Sequence, residues 1–153
     1  MILEETDKLY LYDSYGDAYL IDKESRDILF TDSFYGGPSC ALIDPNNKYA
    51  IVAGKHLTLW DCYEGNNKLT KFETEQFCWI ERLRLINENT MQILLDPWFQ
   101  YSAIWELTVS NKSLFKISDF MKYKNLPYTD NIVWCFIIKP LVEPYSGLYT
   151  SEF

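Results

Sequence analysis

His56 is the only histidine among 153 residues, and the residues that could work with it define the chemistry open to this chain. Pairing it with Cys40 or Cys62 would supply a nucleophile and a base, yet no local residue activates either thiol or orients the imidazole. One histidine also excludes two-histidine metal centres, and with them most hydrolytic metal chemistry. His56 therefore reads as a surface turn residue beside Lys55. Cys40, Cys62, Cys78 and Cys135 are separated by 22, 16 and 57 residues, with no close pair of the kind zinc or redox sites use. Three of them sit inside apolar strand patterns, as reduced buried thiols do. Gly36-Gly37 has the composition of a phosphate loop, but neither G-x-x-x-x-G-K-[ST] nor G-x-G-x-x-G follows, so a turn is expected. A small hydrolase built on two carboxylates needs both acids in one deep pocket; here most acids fall at strand ends and turns, where they blunt exposed edges. Arg82 and Arg84, on one face of a strand, pair most simply with acids across a sheet. No catalytic residue, metal ligand or cofactor is assigned, and the chain is not read as an enzyme.

What remains distinctive is a mixture of aromatic and acidic side chains in the first third. Tyrosine presents a large, rigid contact area with a polar tip, and carboxylates steer a basic partner. The candidate partner-binding residues are Tyr12, Asp13, Tyr15, Asp17, Tyr19, Asp22, Glu24, Asp27, Asp32 and Tyr35. Charge supports them: 14 basic against 22 acidic residues leave −8. Residues 1 to 32 hold nine acids and three bases, −6, and the remaining 121 residues hold 13 acids and 11 bases, −2. One end of the molecule should then carry most of the negative field, which repels the phosphate backbone of nucleic acids and attracts cationic proteins.

The elements that would position these residues are short strands. At 153 residues and 18.1 kDa the chain fits a single domain, 1–153, large enough to bury a core unaided. Hydrophobic residues reach 48%, with 12 Tyr, 9 Phe and 5 Trp, a bias toward pleated, half-buried strands. "KLYLYDS", "AYLID" and "DILFTDS" form a first meander of three strands. "FYGGPS", residues 34–39, breaks the pattern, because paired glycines allow positive φ and Pro38 cannot extend a ladder. "CALID", "KYAIVAG", "LTLWD" and "LTKFE" form a second meander, with "CYEGNNK" as a turn. "WIERLRLI", "MQILLD", "SAIWELTV" and "SLFKIS" form a third. Asp119 as an N-cap, Phe120 and Tyr123 three apart and Pro127 as a stop predict one short helix near 119–126. "NIVWCFII", 131–138, reads as a strand buried on both faces, and the tail after Pro140 as irregular chain whose Tyr145, Leu148, Tyr149 and Phe153 dock back.

The second and third meanders repeat one order of parts: strand, Asn-rich turn, strand, loop, then Trp followed by an acid. Trp60-Asp61 and Trp105-Glu106 are 45 residues apart, and Ile21-Asp22, 39 residues before Trp60-Asp61, occupies the same point of a first unit. That spacing is the period of a propeller blade. Over residues 44–118, best in "DPNNKYAIVAGKHLTLWD" and less well in "NENTMQILLDPWFQYSAIWEL", the sequence resembles tryptophan-aspartate repeat proteins. The resemblance implies that Trp60, and Trp105 with Glu106 in place of Asp, pack between neighbouring sheets while the following acid closes the turn. The family's glycine-histidine dipeptide is missing. Propellers use at least about four blades, so the expected fold is mainly β, with antiparallel blade-like meanders forming an open partial propeller or twisted sandwich.

In overall character, small, acidic, poor in histidine and rich in strands, the chain also resembles the immunity proteins of bacterial toxin systems, including contact-dependent inhibition. The resemblance carries no motif and no residues. It implies a protein that neutralises a cognate toxin, a basic nuclease, by setting carboxylates where the substrate's phosphates would lie and tyrosines in the cleft. The alternative is a propeller-like scaffold or subunit of a larger assembly. "MILEETDKLY" has no basic end followed by a long apolar run, and no stretch approaches the roughly 20 apolar residues of a membrane span. A cytoplasmic protein without nucleic-acid or membrane partners is expected, with the oligomeric state open and a monomer favoured.

Overall fold

A computed structural model describes residues 1–63 and 65–119, which form twelve strands in three antiparallel four-stranded sheets. The first sheet holds β1 (Ile2–Glu5), β2 (Leu9–Ser14), β3 (Asp17–Asp22) and β4 (Ile28–Ser33). The second holds β5 (Cys40–Ile43), β6 (Tyr49–Ala53), β7 (Leu57–Tyr63) and β8 (Asn66–Phe72). The third holds β9 (Ile80–Asn87), β10 (Thr90–Leu95), β11 (Ala103–Thr108) and β12 (Ser113–Asp119). Strands adjacent in sequence are adjacent in each sheet, so every sheet is a blade-like meander. The chain divides into two compact units, Met1–Glu81 and a second beginning at Arg82.

In the first unit, register sorts the side chains. Leu11 lies opposite Leu20 and Tyr12 opposite Tyr19, so leucines share one face and tyrosines the other, as a period of two requires. The leucine face closes on the second sheet: Leu9, Leu11, Ala18, Leu20, Phe30 and Phe34 form one core with Ile43, Ala50, Val52 and Trp60. Trp60 thus packs between neighbouring sheets, as the resemblance implied, and truncating a buried tryptophan to alanine costs on the order of 3–5 kcal/mol. "YAIVA" lacks alternation because β6 is buried at all five positions. In the third sheet Met91 lies opposite Leu107 and Ile93 opposite Trp105, and Met91, Ile93, Ile104 and Leu107 are fully buried.

The turns follow from their residues. Asp22 Oδ1 accepts the backbone N–H groups of Glu24 and Ser25 at 2.9 and 3.0 Å, and Asp44 Oδ2 that of Lys48 at 2.9 Å. Each carboxylate replaces a ladder partner where the chain reverses. Ile21-Asp22, Trp60-Asp61 and Trp105-Glu106 all fall on the third strand of their sheets, which confirms the repeat. Asp22 does close a turn; Asp61 sits within β7, 4% exposed, instead of at its end.

Three expectations change. "ILEE" forms β1 and completes the first sheet, pairing Glu5 with Tyr10; two apolar residues beside two acids carry no periodic signal. "CYEGNNK" is mostly strand: β7 runs to Tyr63 and β8 begins at Asn66, because cross-strand pairing of Cys62 with Asn67 overrides the turn character of the asparagines. Asp119 ends β12 and binds Lys116 at 2.9 Å; the rest of the expected helix, the 131–138 strand, Cys135 and the tail lie outside the described residues.

Candidate functional site

Four connections of the first unit meet at one end of its two sheets. Tyr15 and Gly16 make a two-residue hairpin turn with φ of 53° and 91°, the geometry of a mirror-image turn that suits twisted strands. Asp13 Oδ1 accepts the Gly16 N–H at 3.0 Å. The next connection is tied to this turn, since the Phe34 N–H donates to the Gly16 carbonyl at 3.0 Å. Gly36 and Gly37 then take positive φ, and a Cβ on Gly54 would lie 2.8 Å from the Gly37 carbonyl oxygen. The 34–39 loop therefore rests directly on the β6–β7 turn. The fourth connection reaches the same turn: Trp79 N–H donates to Lys55 O at 2.9 Å and Ile80 N–H to Gly54 O at 2.7 Å.

This framework presents aromatic rings outward. Tyr35 is 75% exposed and Trp79 36%. Their rings meet edge to face, 6.1 Å apart at 75°. The Lys55 ammonium lies 5.9 Å from the Tyr35 ring centre and 5.8 Å from that of Trp79, with a Glu73 carboxylate oxygen 3.7 Å from it. Two π faces and a carboxylate around one cation form a cation-binding corner, each exposed ring contributing about 0.5–1 kcal/mol. Trp79 holds φ of 56°, which an L-residue adopts at a cost of roughly 1–2 kcal/mol. Tyr15, on the turn that is bonded to Phe34, is fully exposed.

Beneath the rim lies a polar cluster that the sequence pattern does not reveal. Asp32 is buried, its side chain 7% exposed, and accepts from His56 Nε2 at 2.8 Å, Lys71 Nζ at 3.0 Å and Thr58 Oγ1. Burial works to raise this carboxyl, but the bonds from Thr58, His56 and Lys71 outweigh it and hold Asp32 below the ordinary aspartate value. His56 stacks on Phe34 with centroids 4.2 Å apart. It is a partner of the core acid and not the free surface turn residue expected, because the 34–39 loop folds over it.

The expected binding residues separate into three groups. Asp13, Tyr15, Asp17, Asp32 and Tyr35 come together at the rim, where Asp17 accepts from Ser33 Oγ at 2.7 Å; Asp32 is there but buried, unavailable to a partner. Tyr12 and Tyr19 lie opposite each other on the outward face of the first sheet. Asp22, Glu24 and Asp27 occupy the β3–β4 turn at the other end of that sheet, about 17 Å away along a six-residue strand. There the Ser25 backbone bond holds Asp22 below its ordinary value. The excess negative charge of the first 32 residues is thus divided between two ends. Lys55, Glu73 and Trp79 join the rim unforeseen; a tryptophan in "FCWI" reads as strand, and only the preceding Glu-rich "ETEQ" hints at a loop.

Thiol chemistry finds no support at either end. Burial pushes the Cys40 thiol up to about 12 and raises that of Cys78. Cys62 pairs with Asn67, six residues along β7 from His56, too far for a Cys-His couple. Among the described residues no group of three or more His, Cys, Asp and Glu could hold a metal ion, and no helix is long and apolar enough to cross a membrane.

No protein-family model and no curated protein sequence matches the chain. Solved structures do match. Hydrazine synthase of Kuenenia stuttgartiensis is 9% identical, with a TM-score of 0.51 over 71% of this chain and 32% of that one. Sqt1 of Saccharomyces cerevisiae is 12% identical, with a TM-score of 0.51 over 76% of this chain and 34% of that one. At such identity the likeness shows the fold alone, successive propeller-like four-stranded meanders. The chain spans about a third of the length of either structure.

Proposed function

We propose that this chain is a binding protein that carries out no reaction and receives a basic protein partner on the rim formed by Tyr15, Tyr35 and Trp79. The observation that carries this reading is the exposed Tyr35 and Trp79 pair, set edge to face and braced from one side by the Lys55 ammonium and the Glu73 carboxylate, a preorganised aromatic surface on which a partner can seat its own side chains. The surrounding charge favours such a partner: with the Asp32–Lys71 pair set aside, Asp13, Asp17 and Glu73 against Lys55 leave −2 at the rim. Exposed Tyr and Trp on a rigid framework are the side chains that dominate interface energetics.

Within this reading the partner is a cognate toxin, a basic nuclease, whose cationic groups the rim would occupy in place of substrate phosphates. The test is titration calorimetry of the intact protein against the product of an adjacent toxin reading frame, with Tyr35→Ala and Trp79→Ala compared. Each substitution should weaken binding by about tenfold or more, as loss of an interface anchor does; unchanged affinity in both would remove the rim from the interface. A second reading, a scaffold subunit, draws on the outward face of the first sheet, where Ile2, Tyr12 and Ile28 are exposed. Concentration-dependent self-association in sedimentation would favour it over toxin neutralisation.

A further inference from the structure

The middle strands of the three sheets differ in burial. β6 is buried at all five positions and β10 at five of its six, so these strands are covered on both faces. β2 and β3 alternate instead, with Leu9, Leu11, Ala18 and Leu20 buried and the residues between them at least partly open to solvent. The first sheet is thus covered on its leucine face alone. The outermost repeat of a stacked array ends on a polar face when it is meant to meet water, and this one carries tyrosines and isoleucines.

Cross-strand pairing sets the open face out in two rows. Glu5, Tyr10, Ile21 and Ile28 are successive partners from β1 to β4, and Ile2, Tyr12, Tyr19 and Thr31 form the next row. Ile2 is 50% exposed, Tyr12 38% and Ile28 58%. Tyr10, Ile21 and Ile28 line one open depression with Asp22, Lys23 and Arg26, which places Arg26 beside the β4 edge of the first row. Charge differs between the two edges. At the β1 edge Glu5 accepts from Lys23 Nζ at 2.6 Å and stays half exposed. At the β4 edge Arg26 is exposed, and among the described residues no carboxylate pairs with its guanidinium.

The geometry points to a second copy of this chain as the occupant of this face, seated about a two-fold axis that runs along the strands. Packed sheets keep their strands within about 30° of one another, which that axis satisfies. It lays β1 of each copy on β4 of the other, and β2 on β3. Tyr10 then meets Ile21 of the second copy, Tyr12 meets Tyr19, and Arg26 meets Glu5 on both sides of the axis. The face is therefore self-complementary, as a two-fold contact requires. Four strands about 4.8 Å apart and up to six residues long offer roughly 15 by 20 Å, the low end for a protein interface, so the pair is reversible. The inference rests on the second reading above, assembly through the outward face, and names its partner; the rim takes no part in it.

The test is sedimentation equilibrium of the full chain, with circular dichroism reporting the fold of each variant. The native chain should pass from monomer to dimer as its concentration rises. Ile28→Lys should abolish the dimer, and Glu5→Arg or Arg26→Glu should each weaken it about tenfold or more by setting like charges opposite one another. Mixing these two single variants makes every such site an opposite-charge pair again, so a hetero-dimer of near-native affinity should appear in native mass spectrometry. Loss of the Glu5–Lys23 bond cannot imitate this result, since that loss persists in the mixture. A chain that stays monomeric at every concentration overturns the proposal and leaves the second reading with a different protein as partner. A dimer that neither reversal weakens, or that mixing fails to restore, overturns the two-fold seating while self-assembly stands.

Discussion

Asp32 and Tyr35 are three residues apart in sequence and have opposite fates. Asp32 turns inward, where three donors stabilise its charge, while Tyr35 stands in solvent. Asp32→Asn should lower stability by about 2–3 kcal/mol in urea at pH 7, because His56, Thr58 and Lys71 lose a charged acceptor. The lowered Asp32 pKa adds a pH signature. A carboxyl depressed in the folded state stabilises fully above its unfolded value, near the ordinary 3.8, and this contribution disappears as pH falls through the folded value. Unfolding free energy measured from pH 5 downward should therefore fall more steeply for the native chain than for Asp32→Asn. Equal slopes would mean that Asp32 is not the coupled group. Tyr35→Ala, by contrast, should change stability by less than about 1 kcal/mol, since an exposed side chain contributes little to the core.

The turns and the strands they join decide what the rim can do. Tyr15 holds a left-handed backbone that glycine and asparagine adopt with less strain. Tyr15→Asn should stabilise the β2–β3 hairpin by about 0.5–1 kcal/mol, raising Tm by a few degrees, while removing one exposed ring from the proposed interface. A stabilised protein with weakened partner binding would show that strain at this turn is retained for contact. Gly54→Ala acts on a different element. Its Cβ would meet the Gly37 carbonyl at 2.8 Å and Phe34 Cδ2 at 3.3 Å, so the 34–39 loop must lift, destabilising the fold by about 1–3 kcal/mol. Crystallography or the Tyr35–Trp79 nuclear Overhauser contact would reveal the displacement. At this scale most strands were legible, since alternation and turn residues are local signals. β1 was not, because four residues with two acids pair only by virtue of the sheet already formed beside them.

Over the whole chain the −8 charge has two consequences. Association with a basic partner should be fast at low salt and slow steeply as the ionic strength rises toward 0.5 M, because exposed charges are screened beyond about 10 Å at 0.1 M. Stopped-flow association rates that stay flat across that range would remove steering from the proposed mechanism. The acids are also divided between the two ends of the first unit: Asp13 and Asp17 lie at the rim, and Asp22, Glu24 and Asp27 at the far end. Neither is a single acidic pole, since β3 carries Asp17 to one end and Asp22 to the other.

From sequence alone came the described strands other than β1, most of the turn positions, and the 45-residue recurrence of Trp and acid. Those features are local in the chain, and a periodicity of two or a glycine pair announces itself within a few residues. Tertiary structure alone decided which carboxylates face water and how Tyr35 meets Trp79 across 44 residues of sequence. The physical reason is that each depends on register and on packing between sheets, which join residues with no shared local pattern.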